Sequence, residues 1–153
     1  MDALLPSRVL AIQHRRIDEG VRGIAEADGQ VAALAEALEL LRLHLYVEEQ
    51  VLFPPLVKAG LAMPVFVMKR EHGEMWPLMQ TLAAACAAQA PVESLQDTCR
   101  RLFQLLQIHN PKEEQIVYTA ADRLAAQPAG ASLARALDVA KMPDRWACEM
   151  ARH

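Results

Sequence analysis

Two stretches of this chain, LLRLHLYVEEQVLF and LFQLLQIHNPKEEQIVY, each carry a histidine followed four residues later by a glutamate. The pairs are His44/Glu48 and His109/Glu113. A four-residue step on an α-helix puts two side chains on one face, one turn apart. Each helix therefore offers an imidazole and a carboxylate pointing the same way, and the neighbours on that stripe are apolar. Carboxylates buried without partners cost several kcal/mol. A fold that buries both pairs must bring them together around something that compensates them.

The rest of the chain reads as helix. The 53% hydrophobic content is largely Ala and Leu, both strong helix formers, and the β-branched and aromatic residues are too scattered for strands. Helix 1 is expected from about Ser7, as N-cap, to about Ala27, with Leu10, His14, Ile17, Val21 and Ile24 on one stripe. Asp28-Gly29 signals a turn. Helix 2 covers roughly 30–59, kinked or ended by Pro54-Pro55 and closed by Gly60. Helix 3 runs from near Pro64 to about Gln89, with Val65, Met68, His72, Met75, Met79 and Leu82 in line and Pro77 inside. Helix 4 begins near Ser94, which forms a capping-box-like pair with Asp97, and Pro111 interrupts it between His109 and Glu113. A break at Pro128-Ala129-Gly130 precedes a helix near 131–141 and a last short helix after Met142-Pro143.

Short connections favour antiparallel neighbours. The expectation is an all-α fold, an antiparallel up-down-up-down four-helix bundle over 1–127. Residues 128–153 add a short helical C-terminal extension packed on it.

Four of the five histidines, His14, His44, His72 and His109, fall on successive helices among apolar neighbours, and Glu48 and Glu113 share those stripes. Four imidazoles and two carboxylates suit two divalent ions, with the carboxylates bridging. One His/Glu pair alone would read as a surface ion pair; six such residues on inward stripes read as a metal centre. The flanking polar residues carry weaker expectations. Asp18 reads as a surface partner of Arg15 or Arg22. Glu49, Glu71 and Glu114 point about 100° away from the stripe, toward solvent or toward hydrogen bonds with the histidines. Tyr46 and Tyr118 could hydrogen-bond near the centre but read first as boundary packing, and Met68, Met75, Met79, Cys86 and Cys99 read as core. His153 reads as a disordered chain end.

Other classes recede. A net charge of −3 with no basic stripe argues against nucleic acid. No apolar run reaches the ~18 residues of a membrane span. MDALLPSRV lacks the features of a signal peptide. Three cysteines without C-x-x-C spacing fit reduced thiols in a cytoplasm.

The segments AIQHRRI, His44-x-x-x-Glu48-Glu49 followed by LFPPL, Arg70-Glu71-His72, and His109-x-x-x-Glu113 with KEEQIVY resemble the hemerythrin-like (HHE cation-binding) family over roughly residues 10–125. The resemblance implies a four-helix bundle around a non-haem diiron centre, with His14, His44, His72 and His109 as terminal ligands and Glu48 and Glu113 as bridges. Zinc or manganese are the other metals such donors accept. It implies interaction with O2, NO or peroxide, for sensing, detoxification or iron handling, with a protein partner to transmit any signal. The rival readings are a diiron peroxidase, oxidase or NO reductase, and a single-metal or metal-free helical interaction module. Oxygen carriers of the family place a second histidine four residues after the helix 3 histidine, where this chain has Trp76. That departure speaks against reversible oxygen storage; it leaves either an open coordination position or a tryptophan that simply fills space.

Overall fold

A computed structural model describes residues 4–26 and 29–151, and those residues are helical with no strand among them. The expected turn at Asp28-Gly29 and the chain end at His153 fall wholly or partly outside the described residues. Helix α1 spans Pro6–Glu26 and α2 Val31–Val47. A π-helical turn over Glu48–Leu52 leads without a break into α3, Phe53–Lys58. Helix α4 spans Ala62–Ala87 and α5 Val92–Lys112. A second π turn, Glu113–Val117, leads into α6, Tyr118–Ala125. After a 3₁₀ turn at Pro128–Gly130, α7 covers Leu133–Val139, and a 3₁₀ turn at Glu149–Ala151 ends the described chain. The tail is thus less helical than its sequence suggests.

The prolines are accommodated in different ways. Pro54 and Pro55 carry no N–H, and their rings would crowd the carbonyls of Gln50 and Val51 in a regular α-helix. Those carbonyls lie in the first π turn, where the widened helix relieves the clash, so the sequence bends its hydrogen-bond pattern instead of ending. Pro77 and Pro111 lie inside α4 and α5. Gly60 adopts φ 101°, with Leu61 N–H bonded to Leu56 O and Gly60 N–H to Val57 O. This closure needs a left-handed residue, which glycine supplies without steric cost.

Two expected caps take other roles. Helix α1 starts at Pro6, and Ser7 lies in its first turn, where both its N–H and its hydroxyl bond to Asp122 of α6 (3.0 and 2.6 Å). Helix α5 starts after Pro91, and the Ser94 hydroxyl donates back to the Pro91 carbonyl (2.7 Å). A proline at the boundary, fixed in φ and lacking an N–H, sets the start that the capping-box pattern placed three residues later.

Helix α1 packs against α2 and α5, and α4 packs against α5 and α2. The apolar interior forms two clusters. One contains Ile17, Leu41, Met75 and Leu106; the other contains Leu10, Leu52, Met68 and Val117. The order in which the long helices meet the clusters alternates. Helix α1 goes from Leu10 in the second to Ile17 in the first, and the α2 segment from Leu41 in the first to Leu52 in the second. Helix α4 goes from Met68 to Met75, and the α5 segment from Leu106 to Val117. Between the two clusters, on all four segments, lie the histidines and the two glutamates.

The tail lies across α2 and α4. Arg42 donates to the carbonyls of Asp144 and Trp146 (2.9 and 3.1 Å). The Trp146 ring stands edge-on to Tyr46 and Trp76 (5.3 and 5.7 Å). A Cβ on Gly73 would stand 2.7 Å from the Met150 carbonyl oxygen, so the glycine permits this close approach. No helix among the described residues is long and apolar enough to cross a membrane.

Candidate metal centre

His14, His44, Glu48, His72, His109 and Glu113 are all buried, and Glu48, His72 and Glu113 are wholly so. The six converge into two overlapping quartets. One is His14, His44, Glu48 and Glu113; the other is Glu48, His72, His109 and Glu113; in each, the ligand atoms lie within 4.8 Å of one another. The two glutamates belong to both. Glu48 divides its oxygens, Oε2 standing 3.3 Å from His44 Nε2 and Oε1 3.1 Å from His72 Nε2. Glu113 Oε1 lies 3.1 Å from both His14 Nε2 and His109 Nε2, and its Oε2 3.8 Å from His72 Nε2.

Three of the imidazoles are held from behind. His44 Nδ1 bonds to Gln13 Oε1 (2.7 Å), His72 Nδ1 to Glu49 Oε2 (2.7 Å) and His109 Nδ1 to Glu71 Oε1 (2.8 Å). Each bond fixes the ring so that Nε2 faces the centre, the arrangement that orients and strengthens metal-binding histidines. Glu49 also accepts from the Glu149 N–H (2.9 Å), which ties the tail to the His72 side, and Glu71 is paired with Lys112. The carboxylates adjoining the histidines in sequence thus act as expected at Glu49 and Glu71. Glu114 is 46% exposed and stands 3.8 Å from His14 Nδ1. Asp18 accepts from Asn110 Nδ2 (3.4 Å), and burial is the leading cause that raises its pKa. Met68, Met75, Met79 and Cys99 are core residues, Cys86 is only partly buried at the edge of its cluster, and Tyr46 packs on Trp146.

Tyr118 departs from its reading as boundary packing. It is fully buried, and its hydroxyl lies inside the first quartet. The phenolic oxygen stands 2.6 Å from Glu48 Oε2, 3.0 Å from Glu113 Oε1, 3.0 Å from His14 Nε2 and 3.3 Å from His44 Nε2. On a regular α-helix the fifth residue after Glu113 would point about 140° away. The π turn inserts one extra residue and returns Tyr118 to the face of Glu113. The other π turn does the same for Phe53, the fifth residue after Glu48, whose ring stacks on His72 (5.8 Å, 19°). The weaker of the two readings of Tyr118, hydrogen bonding near the centre, is the one the structure shows, and regular helical spacing argues against it unless the π turn is anticipated. Gln13 was missed because a residue beside His14 reads as pointing off the stripe.

The electrostatics follow from the crowding. Burial would lower the His44 pKa, but the Glu48 charge and the Glu113 and Glu48 carboxylates that face the ring raise it to about 9. Burial likewise opposes, and the glutamates overcome, for His72 and His109, which both lie above the usual imidazole value. For Glu113 and Glu48 burial acts upward, and for Glu48 the Glu113 charge does too; the surrounding histidines still hold both carboxyls low, Glu113 well below its usual value. Burial and the two carboxylates push Tyr118 well up. Protons on His44, His72 and His109 thus balance the buried carboxylates, a role that metal cations can take over. Among the described residues, four buried atoms of the second quartet, Glu48 Oε1, His72 Nε2, His109 Nε2 and Glu113 Oε2, make no hydrogen bond of good geometry, although Glu48 Oε1 faces His72 Nε2 at 3.1 Å. Converging orphaned nitrogen and oxygen donors of this kind fit a divalent cation.

The profile of the Hemerythrin HHE cation binding domain matches residues 5–121. Relatives include the iron-sulfur cluster repair protein YtfE of Yersinia pseudotuberculosis serotype IB (strain PB1/+) and that of Yersinia pestis (strain Pestoides F), each 33% identical over 79 residues. Each match covers 49% of this chain and 35% of the relative, so the shared region is about a third of the relatives' length. No solved structure matches the chain significantly. The buried histidine and glutamate quartets stand within the matched region, and the chain belongs to the hemerythrin HHE cation-binding domain family.

Proposed function

We propose that His14, His44, His72 and His109 hold two iron ions at terminal positions, that Glu48 and Glu113 bridge them, and that the centre binds a small ligand such as O2, NO or peroxide in the service of iron handling. The observation that carries this reading is the sharing of both carboxylates by two histidine pairs. A mononuclear site has no use for two quartets with common bridges. The alternating order in which the helices meet the two apolar clusters supports an antiparallel up-down-up-down bundle, with 128–153 as an extension laid on it.

Iron, when bound, supplies redox chemistry and affinity for diatomic and peroxide ligands. The chain's own residues set the conditions. Gln13, Glu49 and Glu71 lock three imidazoles in the tautomer that leaves Nε2 free for a cation. The apolar clusters on either side exclude bulk water. Imidazole with carboxylate also accepts zinc or manganese, and metal analysis distinguishes them. The relatives' name, iron-sulfur cluster repair, favours iron supply over oxygen carriage. Three free cysteines accord with a cytoplasmic setting.

The test is titration of the ferrous protein with NO and with peroxide, following the optical spectrum. Stoichiometric binding without sustained consumption supports a binding and iron-handling role. Sustained turnover of either reagent would make the protein an enzyme. A spectrum that neither reagent alters would refute the ligand-binding part of the reading.

A further inference from the structure

We infer that Tyr118 is a fifth protein donor to the ion held by His14, His44, Glu48 and Glu113, binding it through the phenolic oxygen, so that the two ions are inequivalent. The inference rests on the proposed metal centre and deepens it.

The geometry is the argument. Donors adjacent to one another around a six-coordinate ion, with bonds of about 2.1 Å, stand about 3 Å apart. The Tyr118 oxygen stands 2.6, 3.0, 3.0 and 3.3 Å from the nearest donor atoms of Glu48, Glu113, His14 and His44. It therefore keeps a neighbouring donor's distance from all four at once. An oxygen in that place must either bind the ion or vacate the space. Vacating it is obstructed, because the ring is fully buried, lies 5.4 Å from the His14 ring and belongs to the apolar cluster of Val117 and Ala121. A phenolic oxygen is also a hard donor suited to ferric iron, as the tyrosine of some haem proteins illustrates. When the oxygen–iron bond forms, the O–H bond breaks and its proton leaves to solvent. The phenolic oxygen supplies the electron pair, and nothing is oxidised or reduced.

The second quartet has no such oxygen among the described residues. Its matching position after a π turn is Phe53, whose ring stacks on His72. Its four donor atoms make no hydrogen bond of good geometry among the described residues, whereas the Tyr118 hydroxyl touches all four members of the first quartet. The ion between His72 and His109 thus has one protein donor fewer, and an external ligand binds there.

The chain has two tyrosines, so the assignment can be made spectroscopically. Full-length protein is loaded with iron, oxidised, and examined by visible absorption and resonance Raman, with iron measured in the same samples. The expected result is a phenolate-to-iron charge-transfer band with enhanced phenolate vibrations. Tyr118→Phe loses both while keeping its iron. Tyr46→Phe, altered where the ring packs on Trp146, keeps both and assigns the band to Tyr118 even if Tyr118→Phe fails to fold. Two bound irons without the band would overturn the Tyr118 assignment and leave the six-residue centre standing, as would a band that survives Tyr118→Phe. Wild-type protein that binds no iron would overturn both.

Discussion

Stripping the metal should make stability fall as pH rises, because protons then hold the buried carboxylates in place. His44 is the best-defined contributor, its pKa raised from 6.5 to about 9 in the fold. A histidine with a raised folded-state pKa stabilises fully below its unfolded value and loses that contribution as pH climbs through the folded one. The relevant interval is therefore 6.5 to about 9. At about 1.4 kcal/mol per pKa unit, His44 alone contributes about 3 kcal/mol, with no discount for solvent because it is buried. His72 and His109 shift in the same direction and add to the loss. Glu48 and Glu113 act oppositely, their lowered pKa values stabilising above 4.5 and losing that effect only in acid. For a domain of this size, 3 kcal/mol corresponds to roughly 6–12 °C in melting temperature. The assay is thermal melting of chelated protein across that interval, with residual metal checked. Iron-loaded protein should show little of this dependence, since cations have replaced the protons, and should bind metal more tightly as pH rises. A chelated protein whose melting temperature stays level or climbs toward alkaline pH would refute the reasoning.

Other substitutions probe separate parts of the account. Glu71→Gln and Glu49→Gln weaken the bonds that orient His109 and His72, and should lower metal affinity by about 10- to 100-fold in a competition titration with a chromophoric chelator. Gln89 closes α4 with φ 56°, a left-handed conformation that costs a side chain about 1 kcal/mol. Gln89→Gly should raise stability by about that amount in a urea melt without altering metal content. Gly73→Ala would set a Cβ 2.7 Å from the Met150 carbonyl, so the tail should lift, with faster hydrogen exchange at the Glu149 amide that now bonds to Glu49.

The stripes were readable because period and burial coincide. Leu10, His14, Ile17, Val21 and Ile24 fall at helical spacing, and all are buried. The convergence of the four histidines and two glutamates followed from the same spacing, as did the roles of Glu49 and Glu71 beside their neighbours. What the pattern concealed lies where the helix departs from 3.6 residues per turn. Tyr118 and Phe53 reach the centre only because a π turn shifts each by one residue, and no hydrophobic periodicity announces that shift. The Ser7 and Ser94 caps failed for another reason. A proline at or just before the first turn set each helix start, and Ser7 found a tertiary partner in Asp122. The tail's course was hidden because it depends on contacts with Arg42, Tyr46 and Trp76 that lie far away in sequence.

The central claim is that six buried side chains hold two irons. Its most direct measurement is elemental analysis of untagged protein, for the wild type and for Glu113→Ala and His72→Ala. Folding of each variant is verified by circular dichroism. The account predicts two irons per wild-type chain and a loss of bound metal in both variants, greater for Glu113→Ala because that carboxylate belongs to both quartets. Wild-type protein that takes up no more than one ion after anaerobic loading with ferrous iron, or variants that retain the full complement, would contradict it.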